Sequence, residues 1–66
     1  MNDYKELRAE ISKQKVLRGM TNKDLAEATH LGKSTIDGFM GGKRYSDLVA
    51  NRLCDLLDIP KELAEI

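Results

Sequence analysis

The stretch LGKSTIDGFMGGKR, Leu31 to Arg44, gathers the residues whose chemistry stands out. Lys33, Lys43 and Arg44 are cations, Ser34 and Thr35 carry hydroxyls, and Asp37 places a carboxylate four positions after Lys33. Such a set suits hydrogen bonding to an anionic or polar partner rather than bond breaking. No nucleophile stands with a base in the arrangement that covalent catalysis needs, and His30 has no Cys, His or carboxylate at metal-ligand spacing. Gly41-Gly42-Lys43-Arg44 lacks the preceding strand that a phosphate-cradling loop requires. The expectation is no enzyme, no cofactor and no metal. Gly38 disturbs the pattern, because it stands inside a segment otherwise suited to a helix and costs about 1 kcal/mol there relative to alanine.

The elements that must hold these residues follow from the punctuation of the chain, which predicts five short helices and an all-α bundle. The first spans about Asp3 to Leu17, with Asn2 or Asp3 as cap, Leu7 and Ile11 on one face, and Gly19 as its stop. Thr21 caps the second, with Asp24 three positions on in a near capping box. Thr29 to Gly32 form a tight turn, and the third helix runs from about Lys33 to Met40. Ser46 caps a fourth, whose Val49, Ala50, Leu53, Cys54, Leu56 and Leu57 make a broad apolar stripe. Asp58 and Ile59 turn the chain, and Pro60 opens a last helix carrying Leu63 and Ile66. Met20, Met40 and Cys54 read as core or edge filler.

The chain has 66 residues, 41% of them hydrophobic and 33% charged, which fits one folded helical domain over residues 1–66 with no added ligand-sensing domain. No apolar run exceeds three residues, no secretory signal is visible and Cys54 has no partner cysteine, so a cytoplasmic setting is expected. Net charge is zero, yet Met1 to Arg44 hold nine Lys/Arg against six Asp/Glu, and Tyr45 to Ile66 two against five. The field is therefore dipolar, basic where the polar donors cluster.

Residues Asn22 to Gly41, within TNKDLAEATHLGKSTIDGFMGGKR, resemble the helix-turn-helix of the lambda-repressor and Cro-like family, also called the xenobiotic-response-element family. The likeness rests on Leu25-Ala26, on Leu31 ending the turn, on Lys33-Ser34-Thr35-Ile36 and on the glycine-basic exit, and reaches loosely to the fourth helix through RLCDLLDIP. Two helices crossing through a short turn need a small residue at the contact, here Ala26, with Leu25, Leu31, Ile36 and Phe39 as the seam. Two positions depart from the family pattern: His30 replaces the usual turn glycine and so needs φ > 0 or a reshaped turn, and Asn22 replaces the common glutamine.

The resemblance implies a sequence-specific regulator, most simply a small Cro-type repressor of a prophage or mobile element, with the third helix in the major groove of double-stranded DNA. It places Lys33, Ser34 and Thr35 at base-reading positions, with Asp37 and Gly38 one turn later. Asp37 either accepts from cytosine or pairs with Lys33 at i,i+4. Gly38 either lets the helix approach DNA closely or loosens the helix end. Asn22, Lys23, Lys43 and Arg44 fall at the family's phosphate contacts. The family also implies a weak homodimer completed on a palindromic operator, for which Leu63 and Ile66 are the apolar contacts expected, and no small-molecule ligand or membrane partner is indicated. A second reading, favoured by zero net charge and the acidic tail, is a protein-interaction module such as an antitoxin or antirepressor built on the same frame.

Overall fold

In the computed structural model, which describes residues 4–65, four α-helices follow one another: α1 Lys5–Arg18, α2 Asn22–Thr29, α3 Lys33–Met40 and α4 Asp47–Leu57. The expected fifth helix is instead a 3-10 helix over Lys61–Glu65, and no strand occurs among the described residues. The all-α architecture holds, with four α-helices rather than five. The expected caps Asn2 and Asp3 lie outside the described residues. The residue that caps α1 is Tyr4, in the left-handed region at φ 56°, with its side chain buried rather than bonded to the helix terminus.

The starts of α2 and α4 follow the sequence closely. The Thr21 hydroxyl accepts from the Asp24 N–H at 3.2 Å while Asp24 Oδ2 accepts from the Thr21 N–H at 2.9 Å, completing a reciprocal capping box. Ser46 Oγ accepts from the Val49 N–H at the start of α4.

All four helices end by one device. A residue with positive φ follows the last turn, and the next N–H reaches back to the carbonyl five residues earlier. The pairs are Gly19 with Met20 to Lys15, His30 with Leu31 to Ala26, Gly42 with Lys43 to Gly38, and Asp58 with Ile59 to Cys54. His30 thus takes the positive φ expected of a residue standing in for glycine, at 61°. Arg52 and Arg18 reinforce two of these ends, donating to the Thr29 carbonyl at 2.8 Å and the Leu57 carbonyl at 3.0 Å, where the helix dipole favours a cation.

The core joins all of these elements. Leu7 and Ile11 of α1, Leu25 of α2, Ile36 and Phe39 of α3, and Leu53 and Leu57 of α4 are almost completely removed from water. Ala26, 5% exposed, belongs to this core on α2, the helix packed against α3, and Leu31 packs half-buried against the same cluster. Met20, Met40 and Leu56 pack at its edge, and Cys54 is buried within it. Thr29, buried with this set, satisfies its hydroxyl by donating to the Leu25 carbonyl at 2.7 Å. Tyr4 stacks obliquely on Phe39, ring centres 5.4 Å apart, and so ties the entry of α1 to the helix that carries the polar cluster.

Candidate nucleic-acid interface

Helix geometry decides which face of α3 is free. At about 100° per residue, burial of Ile36 and Phe39 turns Ser34 to the centre of the opposite side, with Asp37 and Gly38 flanking it. Lys33 and Thr35 stand at the two margins. Lys33 and Ser34 are exposed and Thr35 is half-buried. The five residues expected at base edges therefore share one outward surface.

Asp37 adopts the pairing alternative. Its Oδ2 accepts from Lys33 Nζ at 2.7 Å and its Oδ1 from Asn22 Nδ2 at 2.9 Å. Those hydrogen bonds, Lys33 first and Asn22 second, hold the carboxyl below its usual range against a smaller opposing effect of burial. Asn22 in turn accepts from Lys15 Nζ through its Oδ1. A relay thus runs from α1 through the first residue of α2 to the outer face of α3. The amide of Asn22, expected at a phosphate, has both ends engaged within the protein. The bond from Lys15 to Asn22 was not legible in the sequence. A signal existed in the lysine at the C-terminal end of α1, since the tight corner at Gly19 folds that end back towards the start of α2.

Gly38 is occupied space rather than vacancy. A Cβ built there would fall 2.8 Å from Arg44 Cδ, closer than real side chains approach, and 3.0 Å from its Cγ and Nε, so the flexible arginine stem would have to shift. The arginine stem thus lies against the α3 backbone at Gly38. The Gly38 carbonyl also accepts the N–H groups of Lys43 and Arg44, at 2.8 and 3.1 Å, so the loop is hung on the last turn of α3. Gly42 is fixed by two constraints, a φ of 76° and the Arg8 guanidinium, whose Nη1 would lie 2.4 Å from an added Cβ. Arg8 Nε is buried with no hydrogen-bond partner among the described residues, another cation at the edge of this loop that the sequence reading passed over.

Lys23 and Lys43 are exposed at the first turn of α2 and in the loop after α3, and neither side chain is hydrogen-bonded or ion-paired to another described residue. The capping hydroxyl takes the Asp24 N–H, leaving those of Asn22 and Lys23 outside the helical ladder at the positive end of the dipole. Leu63 packs half-buried against the core, so part of its surface serves the fold itself; Ile66 lies outside the described residues. Apolar exposure is found instead at Val16, Leu17, Leu48 and Tyr45.

Two helices locked through a small residue at a short turn, the second with a polar outward face, define a helix-turn-helix. The model of the Cro/C1-type helix-turn-helix DNA-binding domain matches residues 8–66, and the chain belongs to that family. Its class is that of DNA-binding transcription regulators. No curated protein and no solved structure matches the chain. No helix among the described residues is long and apolar enough to cross a membrane.

Proposed function

We propose that the protein is a sequence-specific repressor of the Cro type that seats α3 in the major groove of duplex DNA. The observation that carries the reading is the single outward surface of α3, with Lys33, Ser34 and Thr35 along its first turn, where a recognition helix meets base edges. Ser34 and Thr35 donate to or accept from several bases, and the Thr35 methyl suits thymine. Lys33 reads guanine O6 and N7 after exchanging its exposed partner Asp37, an exchange that costs little because surface ion pairs are weak. Asp37 positions that lysine instead of reading cytosine. Lys23 and Lys43 contact phosphates on either side of the helix.

One such helix reads few base pairs, so two copies pairing on a palindromic operator supply the rest, half-sites lying about one helical turn apart. Selection of bound duplexes from a random pool tests the reading. A recovered palindrome whose binding weakens steeply with salt supports it. Recovery of no sequence, with binding to duplex insensitive to salt, overturns it in favour of a protein-interaction module. The observation favouring that second reading is the adjacent pair Val16 and Leu17 on α1, 82% and 68% exposed.

A further inference from the structure

We infer that Arg44 is a base-reading residue and that Gly38 is the socket that aims it. This rests on the DNA-binding reading above and extends the reading surface to a residue outside the recognition helix.

The inference starts from what the outward face of α3 offers. Of its two carboxylate and ammonium groups, Asp37 and Lys33, each is bonded to the other, and Asp37 is bonded to Asn22 as well. Ser34, at the centre, offers a hydroxyl and no charge. The flank opposite Asp37 is Gly38, and the stem of Arg44 lies across it, with Cγ, Cδ and Nε 2.8–3.0 Å from where a β-carbon would stand. Arg44 is exposed and forms no hydrogen bond or ion pair through its side chain with another described residue. It is thus a free charged donor lying on the face that meets DNA.

Its backbone gives that position direction. The N–H groups of Lys43 and Arg44 both bond to the Gly38 carbonyl, which fixes the start of the arginine side chain relative to the helix. Gly42, at positive φ and backed by the Arg8 guanidinium, sets the turn that returns the chain to Gly38. A lysine or arginine contacting phosphate needs no such socket, because the phosphate backbone is met along the whole edge of the groove. A planar fork whose stem lies against a helix face suits bidentate donation to O6 and N7 of one guanine. Lys43, beside it in sequence but without a socket, keeps the phosphate role.

Selection from a random duplex pool with the full chain and four variants separates these roles. Arg44→Ala is expected to flatten the preference at one guanine by roughly fivefold to a hundredfold, the range for a good bidentate pair, while leaving the rest of the selected site intact. Arg44→Lys keeps the charge and the salt slope yet loses the same preference, which a phosphate contact does not predict. Gly38→Ala, with Arg44 present, reproduces the loss at that guanine. Lys43→Ala weakens all sequences alike. Thermal melts accompany each variant, and the two exposed Arg44 substitutions carry the test should Gly38→Ala fold poorly. A wild-type site unchanged in Arg44→Ala, or a uniform loss across sequences with a lower salt slope, overturns the role of Arg44 alone. A wild type that selects no sequence overturns the DNA-binding reading and this inference with it.

Discussion

Tyr4 donates its phenolic proton to Asp47 Oδ1, joining the residue that caps α1 to the first residue of α4. The ring is buried against Phe39, so α1, α3 and α4 meet at one side chain. The hydrogen bond to Asp47, then burial, then the negative charge of Asp47 push the phenol up to about 12.

The sign of the pH effect follows. A group whose folded pKa is raised adds stability that is fully present below its unfolded value, near 10, and is lost as pH rises through about 12. Tyr4→Phe is expected to cost about 1 kcal/mol at neutral pH, the worth of an ordinary hydrogen bond. The gap between wild type and Tyr4→Phe should narrow between pH 10 and 12. Denaturant melts at a series of alkaline pH values check this, and a constant gap contradicts it.

Fold and contact separate at Ala26 and Lys33. Ala26→Glu puts a charge into the α2–α3 crossing and is expected to cost about 3 kcal/mol or more. Lys33→Ala breaks an exposed pair, so stability should stay within about 0.5 kcal/mol while binding to the selected site weakens. Calorimetry beside titration reads both; equal losses of stability would mean that the outward face is misassigned.

His30→Gly should stabilise the protein. His30 holds a φ of 61°, which strains a residue with a β-carbon, and glycine adopts it freely. A gain of up to about 1 kcal/mol is expected in thermal unfolding, with binding unchanged because His30 caps α2 and lies outside α3.

Lys23→Ala and Lys43→Ala should each lower the salt slope of duplex binding by about one and weaken selected and random sequences alike. Titrations at several salt concentrations decide it. A change of base preference from either would place that lysine in the groove.

Much of this architecture was legible because it is local. The Thr21–Asp24 box, the Ser46 cap, the Gly19 stop and the Lys33–Asp37 pair each join residues at most four apart, so spacing predicts them, while the positive φ at His30 is one of two outcomes that the family resemblance implies. Tyr4 was missed because nothing in a tyrosine's propensity asks for positive φ; its place is set by Phe39 and Asp47, far along the chain. The contact at Gly38 is likewise not local. Periodicity marks it as a weak point in a helix, and only the returning loop brings the Arg44 stem against it. The Pro60 segment opened where expected but closed into a 3-10 helix, too short for the sequence to distinguish from one α-helical turn.

The shared volume at Gly38 and Arg44 also constrains descent. A larger residue 38 would push the arginine stem aside, while a shorter residue 44 would leave room on the helix face for a larger residue 38. The two positions are therefore sterically coupled. Lineages diverging from this chain should exchange a small 38 with a long 44 for the reverse pairing more readily than they change either alone. Each such exchange would reshape the outward face of α3 without disturbing Ile36, Phe39 or the core behind them.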